Sequence, residues 1–145
     1  MTPQTITVGY ADLDKFGAYA RNVGYAKALP VLQEIMQAAY DLITKNGGRI
    51  HNHLGDGVLF VFTDGKQAVT AAKALGEYKK TTELVELRFL VSLATGEVFS
   101  CEIGSGPNRR TEIFGDTVKK AFELHEKSRT GAHGLVMDET TKKLG

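Results

Sequence analysis

The chain has 145 residues, 42% hydrophobic and 24% charged, which suits one globular domain with a core of its own. Its formal net charge is +1, with lysine and arginine spread along the chain, so bulk charge points neither to nucleic acid nor to a membrane surface. The single cysteine, Cys101, excludes an intrachain disulfide, and no apolar run approaches the ~20 residues of a membrane span.

The Met-Thr-Pro-Gln start carries no charged-then-apolar signal pattern. The expectation is a cytoplasmic protein, with Cys101 a small buried hydrophobe. In chain order, Ile6, Val8 and Tyr10 alternate with Thr7 and Gly9. This predicts a strand that runs into Ala11-Asp12-Leu13-Asp14. A short helix follows Phe16. A long helix then carries Leu32, Ile35, Met36, Ala39, Leu42 and Ile43 at helical spacing. Pro30 fits only near its first turn, and Asn46-Gly47-Gly48 stops it.

Strands are expected over 49–54 and 58–62, joined at the hairpin turn Gly55-Asp56-Gly57. Thr63 and Asp64 offer caps for a helix with Ala68, Ala71, Ala72 and Leu75 on one face. Two more strands, 84–94 and 96–103, lead to a Gly-rich loop at 104–108. A short strand near 111–113, a helix over 116–128, an apolar piece at 134–137 and a last helical turn after Asp138 complete the chain. This βαββαβ order predicts an α+β, ferredoxin-like core with an antiparallel-rich sheet and helices on one face. No repeat or linker divides residues 1–145, which read as one domain.

Two carboxylates fall at informative places. Asp12 ends the first strand, and Asp56 sits at the tip of the next hairpin. In a ferredoxin-like sheet these positions converge at one edge, where hard oxygen ligands suit Mg²⁺ or Mn²⁺. Spacing alone favours the plainer reading, in which Asp56 is a turn residue and Asp12 a strand-end cap.

The motifs around them change that weighting. Residues 8–16, Val-Gly-Tyr-Ala-Asp-Leu-Asp-Lys-Phe, resemble the opening strand of class III adenylyl and guanylyl cyclases. Residues 47–56, Gly-Gly-Arg-Ile-His-Asn-His-Leu-Gly-Asp, are similar to that family's second motif. Thr95-Gly96-Glu97-Val98 and Ile113-Phe114-Gly115-Asp116-Thr117-Val118 resemble its later strand and the entry to its last catalytic helix. The four lie in register from about residue 5 to residue 140. The resemblance implies a metal pair at Asp12 and Asp56, with the Leu13 backbone carbonyl as a further ligand.

The departures bear on activity. The family's purine-reading Lys is replaced by Asn52, and the partner position is Glu112. Both side chains can hydrogen-bond a base, or simply be solvated strand residues, and they leave adenine or guanine open. Where the family has a ribose-positioning Asn and a transition-state Arg, this chain has Lys119 and Glu123. Loss of a positioned guanidinium costs several orders of magnitude in phosphoryl transfer. Four residues apart on a helix, Lys119 and Glu123 are expected to pair with each other; alternatively Lys119 substitutes for the missing cation. The family's usual C-terminal strand pair is also lacking.

The resemblance therefore implies a cyclase homology domain in cyclic nucleotide signalling, weakly active or inactive and regulatory. The alternative is a functional adenylate or guanylate cyclase, possibly half of a heterodimer. A different nucleotide enzyme on the same sheet is a third reading. The implied cofactor is Mg²⁺ or Mn²⁺. The implied partners are ATP or GTP and a second cyclase domain, as homodimer or heterodimer, with no nucleic acid and no membrane. His51 and His53, two apart on a strand, are expected to share one face opposite Asn52. His125 reads as a packed or half-exposed histidine, and Arg109 and Arg110 as a hairpin tip.

Overall fold

The computed structural model describes residues 2–130 and 134–145. Its order is β1 (Gln4–Asp14), α1 (Phe16–Val23), α2 (Tyr25–Lys45), β2 (Arg49–Leu54), β3 (Gly57–Phe62) and α3 (Gly65–Glu77). Then come β4 (Lys79–Thr81), β5 (Glu86–Ile103), β6 (Arg110–Phe114), α4 (Asp116–Thr130), β7 (Leu135–Met137) and α5 (Glu139–Leu144). The sheet runs β2-β3-β1-β5-β4, and β6 and β7 also pair with β5. Only β7 pairs in parallel among the described strands. This is the expected α+β architecture with a mostly antiparallel sheet.

Both faces of the sheet are covered, which corrects the expectation of helices on one face. Ala11 and Leu13 of β1, with Val58, Phe60 and Phe62 of β3, pack against α1, α2 and α3. Ile6 and Val8, with Leu59 and Val61, pack against Ala121 of α4 on the other side. The period-2 alternation of strands sends successive side chains to these two cores. Burial of each large apolar side chain contributes about 1.5–3 kcal/mol. Ser92 donates its hydroxyl proton to the Ala121 carbonyl at 2.6 Å and fixes α4 to β5.

Two further expectations change. The strands placed at 84–94 and 96–103 form one strand of 18 residues. Thr95 and Gly96 do not break it because β1 pairs continuously across them, Thr7 to Thr95 and Ile6 to Gly96. Gly96 instead makes room for α4: a Cβ there would lie 2.5 Å from Thr117 Oγ1. The long helix starts at Tyr25, so Pro30 lies inside it rather than in its first turn. It follows α1 through Gly24 at φ +87°, and proline there removes a single backbone donor.

Local signals elsewhere hold. Asp64 caps α3, accepting from Lys66 N–H at 2.9 Å and Gln67 N–H at 3.3 Å. Asp138 caps α5 through Thr141 N–H at 2.9 Å. A hydroxyl chain joins Thr7 to Thr95 at 2.8 Å and Thr95 to Thr141 at 2.7 Å, tying α5 to the sheet. No helix among the described residues is long and apolar enough to cross a membrane.

Candidate metal and nucleotide site

Asp12 and the Asp56 turn adjoin where the β1–β3 pairing ends. Asp12 stands opposite Gly57 in the β1–β3 register, so Asp56 is next to its strand partner. The Leu13 N–H donates to the Asp56 carbonyl at 3.0 Å, closing the strand end onto the hairpin tip. A residue in an antiparallel ladder sends its N–H and C=O to the same side, so the Leu13 carbonyl leaves β1 on the hairpin edge. Gly57 permits this approach: a Cβ there would lie 2.7 Å from the Tyr10 hydroxyl, 3.0 Å from Asp12 Cβ and 3.2 Å from the Ala11 carbonyl oxygen.

The turn itself follows from its glycine. Gly55 has φ +65°, whereas Asp56 is absent from the positive-φ residues. That is the sign pattern of a II′ turn, which favours glycine first and matches the twist of the flanking strands. Asp56 is half-buried, whereas Asp12 is only 4% exposed.

Burial of Asp12 comes from α4. Its Oδ1 lies 2.9 Å from Nε2 of His125, an ion-pair distance without a well-aligned N–H···O hydrogen bond. His125 is 1% exposed, so its packed reading holds, but its position was not anticipated. Tyr10, two residues before Asp12 on the same face, stacks edge-on against His125 at 4.7 Å and lies 4.8 Å from the Phe122 ring. The available signal was the spacing Ala121, His125, Ser128, all buried along one face of α4.

The candidate base readers lie on two different strands, β2 and β6. Asn52 is half-buried on β2 opposite Leu59. A β-bulge between Ile50 and Asn52 leaves His51 unpaired in the ladder. His51 Nε2 reaches Glu112 on β6 at 3.6 Å, and Arg110 lies 3.7 Å from the same carboxylate. His53 turns instead to α2, where Tyr40 Oη lies 3.1 Å from its Nδ1. The two histidines therefore do not share a face, because the extra residue of a bulge breaks the alternation. Arg49, His51, Arg110 and Ser100 line a cleft of about 340 Å³ between β2 and β6.

Lys119 and Glu123 are exposed on α4. They form no ion pair with each other among the described residues, contrary to expectation. Arg109 pairs with Glu102 at 2.5 Å, consistent with a structural hairpin tip. Cys101 is half-buried rather than fully buried, since β6 alone flanks that end of β5.

No family model matches the chain. An adenylate cyclase of Streptomyces coelicolor is 30% identical over 125 residues, which is 86% of this chain and 30% of that protein. The chain thus spans less than a third of the curated relatives it matches. The guanylyl cyclase Cya2 superposes with a TM-score of 0.83 at 24% identity, covering 99% of this chain and 79% of that one. The chain belongs to the class III nucleotide cyclase fold. A second cyclase of this fold, the guanylate cyclase domain of RhGC from Catenaria anguillulae in complex with GTP, gives a TM-score of 0.78 at 16% identity, covering 99% of this chain and 84% of that one. Among the described residues of this cyclase-fold domain, no group of three His, Cys, Asp or Glu side chains is arranged to hold a metal. The candidate donors, Asp12, Asp56 and the Leu13 carbonyl, are hard oxygens of the kind Mg²⁺ or Mn²⁺ takes, with Asp56 half-buried and Asp12 turned to His125.

Proposed function

We propose that this cyclase-fold domain acts in cyclic nucleotide signalling as a metal-binding module with weak turnover or none, and that its role is regulatory. The observation that carries this reading is the convergence of Asp12 with the Asp56 turn through the Leu13 N–H···O=C bond. Asp12, Asp56 and the Leu13 carbonyl would hold Mg²⁺ or Mn²⁺. Such a metal would supply positive charge for a triphosphate and Lewis acidity toward an attacking hydroxyl.

The rest of the site argues for poor chemistry. Glu123, exposed on α4, stands by the sequence resemblance at the position of the family's arginine, and an anion there opposes a triphosphate. Lys119 offers a point charge without the bidentate fork of arginine. Asn52 and Glu112 are the base-reading candidates for ATP or GTP, with His51 and Arg110 setting the direction of the Glu112 carboxylate. Exposed Phe99 and Phe114, opposite each other on β5 and β6, support association with a second cyclase domain.

A second reading, favoured by the 30% identity to an adenylate cyclase, is a working cyclase that makes cAMP or cGMP. A partner domain would then supply the missing Asn and Arg.

The purified chain, given ATP and GTP separately with excess Mn²⁺ beside an Asp56→Asn control, tests both. Mn²⁺ uptake without cyclic product, both alone and mixed with a cyclase domain that carries the Asn and Arg but lacks the carboxylates, supports the regulatory reading. Product that vanishes in the control establishes the working cyclase.

A further inference from the structure

The two peptide groups that flank the Asp56 α-carbon are held from opposite sides. The Asp56 carbonyl accepts from Leu13 N–H at 3.0 Å. The Gly55 carbonyl, on the peptide joining Gly55 to Asp56, lies 2.7 Å from His53 Nε2. A carbonyl only accepts, so Nε2 carries a proton, and Nδ1 faces Tyr40 Oη at 3.1 Å. Tyr40 belongs to α2 and packs against the larger core. A continuous path therefore runs from α2 through Tyr40 and His53 to the central peptide of the turn.

That peptide decides the turn type. Its flip would convert the II′ sign pattern, with positive φ at Gly55 only, into the I′ pattern with positive φ at Asp56 as well. A flip would turn the Gly55 carbonyl to the other face of the hairpin, away from His53, and force the non-glycine Asp56 to a positive φ. Gly55, lacking a Cβ, tolerates the backbone angles of either turn. The His53 hydrogen bond to the Gly55 carbonyl opposes it.

We infer that His53, oriented by Tyr40, is a positioning residue that fixes the Asp56 turn in its metal-binding orientation. The inference rests on the reading of Asp12 and Asp56 as a metal pair. It makes α2 a mechanical input to the site, since movement of Tyr40 releases the Gly55 carbonyl.

The test measures Mn²⁺ affinity of the whole chain by calorimetry, with Asp56→Asn as the zero, and amide exchange at Leu13 by NMR. His53→Ala is expected to weaken Mn²⁺ binding about tenfold or more, the usual effect of losing an outer-sphere partner, and to accelerate Leu13 exchange. His53→Gln returns an N–H donor near the Nε2 position and is expected to recover most of both. Wild-type affinity in His53→Ala overturns the inference. So does a His53→Gln chain no better than His53→Ala, because bulk rather than the donor would then matter. Should the wild-type chain take up no Mn²⁺, the metal reading fails by itself. The strut is then judged on Leu13 exchange, and unchanged protection in His53→Ala overturns it.

Discussion

His125 Nε2 stands 2.9 Å from Asp12 Oδ1 in the layer between α4 and the sheet. A carboxylate expected to face a metal is thereby also packed against a buried imidazole. The contact joins the candidate site to the smaller of the two cores, so site geometry and α4 docking depend on the same pair.

Removing one member of this pair should cost stability. A His125→Ala chain is expected to lose on the order of 3 kcal/mol, since a buried carboxylate is left without its neighbour and a cavity opens. Urea denaturation of His125→Ala, Asp12→Asn and the double variant checks this. The double variant should lose less than the sum of the singles by about 1 kcal/mol or more.

Gly57→Ala should disturb fold and site together. The added Cβ would sit 3.0 Å from Asp12 Cβ and 3.2 Å from the Ala11 carbonyl oxygen. A loss of about 1–3 kcal/mol is expected, as for other overpacked positions. A Mn²⁺ titration on the folded variant should show weaker binding than wild type.

Gly96→Ala tests the fit of α4 on β5. Its Cβ would meet Thr117 Oγ1 at 2.5 Å, so thermal stability should fall. Trimming Thr117 to Ala in the same chain should restore most of it. Equal losses with and without Thr117 would show that the strand, not the helix contact, requires glycine.

Lys119→Asn combined with Glu123→Arg should raise cyclic nucleotide formation by about 10²-fold or more, the scale attached to one positioned transition-state group. The assay uses Mn²⁺ and either triphosphate. No gain in a folded double variant would place the defect elsewhere, with Asn52 and Glu112 next in line.

Much of this was legible from residue order. The Asp64 cap, the Asn46-Gly47 stop and the Gly55-Asp56 turn are local devices, and each formed where its residues predicted. Long-range pairing overrode local signals at Gly96, where β1 carries β5 straight through. The bulge at His51 has no turn residue to announce it, so the separation of His51 and His53 was hidden in an ordinary-looking strand.

The sequence by itself determined the α+β class, most of the order of elements and the place of Asp56 at a hairpin tip, whereas β1 runs two residues past Asp12 and the short β4 was not foreseen. What it determined follows from periodicity and turn chemistry, which act over a few residues. Only the tertiary structure decided that α4 covers the second face of the sheet, that His125 packs on Asp12, and that His53 grips the Asp56 turn. Those contacts join residues from separate elements, and their geometry depends on how two cores pack across one twisted sheet.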